Sequence, residues 1–139
     1  MKKVLITGGA GFIGSNSALK FAKSGWQIHL IDNLSRKGCK INLKNLKKKI
    51  KVKFYKCDIE NFKKLSSIIK KLKPKLIIHC AGQVAVTTSV KNPRSDFNSN
   101  ALGTLNVLES IRLNSNKTKL IFLSTNKVYG DVSNRLLKT

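Results

Sequence analysis

Residues 3–14 read Lys-Val-Leu-Ile-Thr-Gly-Gly-Ala-Gly-Phe-Ile-Gly, an apolar run that breaks into glycines and then resumes as helical periodicity. Glycines at 9, 11 and 14 give Gly-x-Gly-x-x-Gly, and those at 8, 11 and 14 give Gly-x-x-Gly-x-x-Gly. The run 3–7 predicts a short buried strand. Residues 12–24 carry Phe12, Ile13, Ala18, Leu19, Phe21 and Ala22 and predict a helix closed by Gly25. A tight glycine turn between strand and helix lets a diphosphate approach the backbone, and the helix start offers it free N–H groups and a positive dipole end. By itself the glycine pattern is weak, because tight turns also collect glycine. In this strand–turn–helix setting it points to a dinucleotide.

Outward from that turn, strand and helix alternate. Strands are expected at 27–31, 52–57, 76–80 and 120–123, each a short apolar run. A short exposed helix is expected at 41–49. Another is expected at 62–72, where Phe62, Leu65, Ile68, Ile69 and Leu72 recur at helical spacing before Pro74. A long helix is expected at 96–113, with Ala101, Leu102, Leu105, Leu108 and Ile111 on one face. About five apolar strands separated by helices imply an α/β chain with a doubly wound parallel sheet covered on both faces. Residues 1–139 are read as one dinucleotide-binding domain.

Asp32 closes the second strand, 18 residues past Gly14. A carboxylate there can accept from both hydroxyls of an adenosine ribose and repels a 2′-phosphate, which favours NAD over NADP. Arg36 and Lys37 nearby leave NADP open. Asp58, at the end of the third strand, could meet the adenine amino group or could be a solvated strand-end residue.

The charge is lopsided: 28 basic against 6 acidic residues, a net +22. Such a balance can mark a phosphate binder. However, 24 of the 28 are Lys and only Arg36, Arg94, Arg112 and Arg135 are Arg, whereas base and phosphate readers lean on Arg. No aromatic residues are interleaved for stacking. Drift toward Lys codons explains the pattern better than nucleic-acid binding. Three cysteines, Cys39, Cys57 and Cys80, have neither metal-ligand nor disulfide spacing, so no metal site is expected and a reducing cytoplasm fits. Apolar runs are too short to span a bilayer, and no secretory leader pattern opens the sequence. His29 and His79, each in an apolar strand, are read as core residues, Cys80 as a small core residue, and Tyr129 as part of a turn.

The sequence resembles the extended short-chain dehydrogenase/reductase family, the NAD-dependent epimerases and dehydratases of nucleotide sugars. The resemblance rests on Thr-Gly-Gly-Ala-Gly-Phe-Ile-Gly (7–14), Asp-Asn-Leu-Ser-Arg-Lys-Gly (32–38), Cys-Asp-Ile (57–59) and His-Cys-Ala-Gly-Gln (79–83). It continues in Asn-x-x-Gly-Thr-x-Asn-x-Leu-Glu (100–109) and Ser-Thr-Asn-Lys-Val-Tyr-Gly-Asp (124–131). Ala-Gly-Gln-Val-Ala-Val-Thr-Thr-Ser (81–89), with the last of those stretches, looks like the CDP-paratose (CDP-tyvelose) 2-epimerase branch.

The resemblance implies a Rossmann domain and NAD as cofactor. Gly8, Gly11, Phe12, Ile13 and Gly14 would hold the pyrophosphate. Asp32, Asn33, Ser35 and Arg36 would surround the adenosine ribose, and Asp58 and Ile59 would flank adenine. Ala81, Gly82 and Gln83 would line the cofactor, with Asn100 on the long helix near it or near a structural water. Thr125 matches the family's catalytic Ser/Thr. A nucleotide-sugar substrate, CDP-linked in that branch, and a homodimer using the long helix are implied as well.

The family's base is the Tyr of Tyr-x-x-x-Lys. Tyr55 is followed by Ile59 and Tyr129 by Ser133, so neither fits. In the family that motif and the substrate lobe come later, so these residues are read as an N-terminal portion, inactive in isolation. Another nucleotide-sugar epimerase or dehydratase, a stand-alone NAD-binding module or remnant, and a basic nucleic-acid binder are the alternatives.

Overall fold

In the third to seventh residues side chains alternate across a pleated strand, yet Val4, Leu5, Ile6 and Thr7 are all fully buried. A strand buried on both faces needs layers above and below it. The computed structural model describes residues 1–125 and supplies both. Strands β1 (Lys3–Thr7), β2 (Gln27–Asp32), β3 (Val52–Lys56), β4 (Leu76–His79) and β5 (Lys119–Phe122) form one parallel sheet in the order β3-β2-β1-β4-β5. The register places Thr7 beside Ile31 on one side and His79 on the other. The expected doubly wound Rossmann sheet is therefore present.

One face of the sheet, with Val4, Ile6, Ile28, Leu30, Leu76 and Ile78, packs on α1 (Phe12–Lys23) and α2 (Cys39–Lys49) through Ala18, Leu43 and Leu46. The other face, with Leu5, Ile31 and Ile77, packs on α3 (Phe62–Leu72) through Leu65, Ile69 and Leu72. Helix α3 starts at Asn61, whose side chain accepts from the Lys64 amide at 3.0 Å, and ends at Lys73 in the left-handed region (φ 44).

Two short helices, α4 (Val86–Lys91) and α5 (Pro93–Phe97), lead through a π turn (Asn98–Leu102) into α6 (Gly103–Asn114). The long helix expected at 96–113 is thus present, begun three residues earlier at Pro93 and carrying a π-type register change at Asn98–Leu102, through which the backbone stays right-handed helical. Helix α4 was not expected at all. It buries no residue and exposes Val86 and Val90, so no amphipathic period marks it. Helix α2 begins two residues before the expected 41, at Cys39, whose buried thiol joins the first core.

Candidate dinucleotide site

Strand β1 has β2 on one side and β4 on the other, and α1 and α3 lie on opposite faces. The connections diverge at that point and open a crevice beyond the carboxyl ends of the strands. The glycine turn fills its floor. The Gly11 amide bonds the Gly8 carbonyl at 3.0 Å, and the Gly9 amide bonds the Ile31 carbonyl at 3.1 Å. Gly8 has φ +62, and a Cβ there would lie 2.7 Å from the Ala81 amide nitrogen. A Cβ on Gly14 would run into the Gly8 carbonyl. Both positions need glycine because backbone meets backbone.

Helix α1 opens on Gly11 with no capping side chain and no acidic residue in its first turn. Its leading amides and the positive end of its dipole are left for an anion. The Phe12 and Ile13 side chains turn outward, 80% and 55% exposed, so what they bring to the turn is their N–H groups.

Asp32 forms the β2 wall. It is 8% exposed; Oδ2 accepts from the Ala10 amide at 3.0 Å and Oδ1 from the Leu34 amide at 2.8 Å. Each carboxylate oxygen keeps acceptor capacity for a further donor. The next turn is built the same way, with the Ser35 amide donating to Asn33 Oδ1 at 3.0 Å. Asn33 Nδ2 donates to Asp58 Oδ2 at 2.7 Å and ties the β2 and β3 loops together. Asp58 Oδ1 also accepts the Glu60 amide at 3.0 Å. Ile59 is buried in the second core rather than lining open space.

The β4 wall is Ala81, Gly82 and Gln83. The Gln83 amide donates to Asn100 Oδ1 at 2.8 Å, and Asn100 Nδ2 donates to the Gln83 carbonyl at 3.0 Å. Asn100, in the π turn, thus holds the N–H and the C=O of one residue, the two peptide groups that flank the Gln83 Cα. Gln83 Oε1 accepts from Arg36 Nη2 at 2.7 Å across the crevice. Thr125 lies exposed three residues past β5, while Tyr129 and the rest of the 126–131 stretch lie outside the described residues.

Sequence reasoning missed Thr7, Thr104 and the partnering of His79. Thr7 Oγ1 lies 2.5 Å from His79 Nδ1, and His79 Nε2 lies 3.1 Å from Thr104 Oγ1. The signal was present: two polar residues end two apolar strands in register. Burial pushes the His79 pKa down to about 4 and the neighbouring Cys80 thiol up to about 11, so that thiol is no nucleophile near neutral pH. His29 likewise has a partner, the Tyr55 hydroxyl at 3.2 Å from Nδ1. Among the described residues no cluster of His, Cys, Asp or Glu could hold a metal, and no helix is long and apolar enough to cross a membrane.

A cradle of amides without side chains, beside a carboxylate aimed by two backbone donors, fits a dinucleotide. The comparisons agree. The chain is 46% identical over 130 residues to a CDP-paratose 2-epimerase of Salmonella typhi, covering 94% of this chain and 38% of that protein. It is 37% identical over 133 residues to a UDP-glucose 4-epimerase of Neisseria meningitidis serogroup C, covering 94% and 39%. Among solved structures, the UDP-Glc/GlcNAc 4-epimerase from Campylobacter jejuni superposes with a TM-score of 0.86 at 34% identity, over 94% of this chain and 39% of that one. A UDP-glucose 4-epimerase from Bifidobacterium longum, in complex with NAD⁺ and UDP, gives a TM-score of 0.85 at 29% identity, over 93% and 38%. The chain therefore spans 38–39% of the length of these relatives. The sequence profile of the family described as GDP-mannose 4,6 dehydratase matches residues 5–138, and the chain belongs to that family.

Proposed function

We propose that residues 1–139 are the NAD-binding portion of an NAD-dependent nucleotide-sugar epimerase. The observation that carries this reading is Asp32, held by the Ala10 and Leu34 amides beside a glycine turn that no side chain fills. In this reading Gly8, Gly11 and Gly14, with the amides of Phe12 and Ile13, hold the diphosphate. Asp32, Asn33 and Ser35 hold the adenosine ribose, and Asp58 bounds the adenine, while Ile59 packs in the core behind it. Ala81, Gly82 and Gln83 form the far wall, positioned by Asn100. NAD, when bound, supplies reversible hydride acceptance from a sugar carbon. The Thr125 hydroxyl then bonds the sugar oxygen. A base absent from these 139 residues, the Tyr of a Tyr-x-x-x-Lys, completes the chemistry, so the isolated portion turns nothing over.

The finer reading is epimerisation of a CDP-linked sugar at C2, supported by the likeness to the Salmonella protein and by the 81–89 stretch. A homodimer through the α6 region and a cytoplasmic setting belong to the same reading.

Titration of the 139-residue chain with NADH and NADPH, read by nicotinamide fluorescence, tests the first claim. Saturable NADH binding, with NADPH at least tenfold weaker because Asp32 repels the 2′-phosphate, is expected. No NADH binding at millimolar concentration overturns it. Turnover of a CDP-sugar by this chain alone would overturn its inactivity.

A further inference from the structure

Strands β2 and β4 are the two neighbours of β1, so a bond from the β2 loop to the β4 loop must pass over the carboxyl end of β1. The Arg36–Gln83 hydrogen bond, 2.7 Å long and joining residues 47 apart in sequence, does this. It crosses the mouth of the crevice in front of the glycine turn.

The Gln83 post is rigid. Its backbone is held from both sides by Asn100. Its side-chain Nε2 donates to the Ala85 carbonyl at 3.0 Å, and Oε1 accepts the Val84 amide at 3.1 Å. Those two bonds fix which end of the amide faces Arg36, since only the oxygen accepts. The Arg36 arm leaves a loop shaped by the Asp32 and Asn33 side chains and by Leu34 at φ 60.

Arg36 is held by a neutral amide. Among the described residues no carboxylate lies within ion-pair distance of it, and the only ion pair joins Arg112 to Glu109. Arg36 thus carries its charge on the bridge between the β2 and β4 loops, with no carboxylate beside it, at the same carboxyl end of the sheet where α1 begins. An anion bound in the turn would have the α1 amides for donors and a planar guanidinium on the bridge that spans the end of β1, which suits two phosphate oxygens.

We propose that Arg36 and Gln83 form a strap across the crevice, with Arg36 supplying the outer half of the diphosphate site and the strap slowing dinucleotide release. This rests on the NAD-binding reading given above. The neutral strap post holds the guanidinium in place without neutralising it, so its charge is spent on the ligand. Breaking the strap opens the crevice and speeds departure more than it slows arrival.

The test uses the 139-residue chain, NADH and ADP-ribose, with equilibrium titration and stopped-flow displacement. Arg36→Gln should weaken both ligands about tenfold, mostly through faster dissociation, and flatten the salt dependence of binding. Gln83→Ala should speed dissociation severalfold, and the double variant should be no worse than Arg36→Gln alone. Unchanged thermal unfolding of the variants is the accompanying control. Wild-type binding with Arg36→Gln unaffected overturns the strap and leaves the NAD reading intact. Tighter binding by Gln83→Ala also overturns it, since the bridge would then be an obstruction. No NADH binding by the wild type overturns the NAD reading itself, and the strap with it.

Discussion

Thr7 Oγ1 and His79 Nδ1 face each other at 2.5 Å across the β1–β4 pairing, and the proton order of their network is fixed. Thr104 Oγ1 donates to the Asn100 carbonyl at 2.6 Å, so it must accept from His79 Nε2. His79 is then the neutral Nε2–H tautomer, and its Nδ1 accepts from the Thr7 hydroxyl. Thr7 Oγ1 in turn accepts the Ala81 amide at 3.3 Å. A buried histidine thus joins the glycine-turn strand, the β4 wall and the π turn.

That network makes stability depend on pH. Burial holds the folded His79 pKa at about 4 against an ordinary 6.5. Above pH 6.5 both folded and unfolded chains are neutral there and the contribution is complete. Between 6.5 and 4 the unfolded chain takes up a proton that the folded one refuses, so stability falls as pH falls. The gap amounts to about 3 kcal/mol. Urea unfolding at pH 7, 6, 5 and 4 should show this loss. His79→Gln should be less stable at pH 7 and should lose less between pH 6.5 and 4. It should keep part of the slope, because burial with Lys53 and Lys3 also lowers the His29 pKa. An identical slope in wild type and variant would refute the assignment.

Asp32→Asn is expected to act twice. Only one of its two terminal atoms can accept, so either the Ala10 or the Leu34 amide loses its partner, at about 1–3 kcal/mol. The negative charge that repels a 2′-phosphate also goes. NADH affinity should fall about tenfold while NADPH affinity falls less, narrowing the preference. Parallel fluorescence titrations check this, and an undiminished NADH preference would exclude Asp32 as its source.

Most of the fold was legible because the strands are short and mostly apolar, β1 stops at Gly8 and β2 at Asp32, and α3 carries a clean 3.6 period. The floor of the site was legible from its glycine spacing: glycines at 8 and 14 have no substitute where backbone meets backbone. The walls were less so. Arg36–Gln83 and Asn33–Asp58 join residues 47 and 25 apart, and no local pattern encodes such pairings. Helix α4 buries nothing, and the π turn at Asn98–Leu102 is a register change within a helix, which leaves no hydrophobic period to read.

Lys73 closes α3 with φ 44, a conformation that a side chain resists and glycine adopts freely. Its amide bonds the Ile69 carbonyl at 2.8 Å, so the turn itself is well made. Lys73→Gly relieves the Cβ crowding but gives the unfolded chain more freedom. The net expectation is stabilisation of about 0.5 kcal/mol, read as a higher urea midpoint with unchanged slope. NADH binding should not move, because Lys73 lies at the opposite end of the sheet from the glycine turn.

Asn100 separates positioning from binding. Its amide satisfies the Gln83 N–H and C=O together, and Nδ2 also reaches Asp96 Oδ1 at 3.2 Å. Asp96 in turn accepts from the Ser89 hydroxyl at 2.7 Å, which extends the anchor to α4. Asn100→Ala leaves the Gln83 peptide to water in a half-buried site and should cost about 1–2 kcal/mol of stability. Asn100→Asp keeps the acceptor for the Gln83 amide, loses the donor to its carbonyl, and sets a second carboxylate beside Asp96. It should therefore be at least as destabilised as the alanine variant at pH 7, and should recover toward it as the pair takes up a proton in acid. Acid recovery of Asn100→Asp reports the nearness of Asp96, and an Asn100→Ala variant as stable as the wild type would refute the anchoring of Gln83.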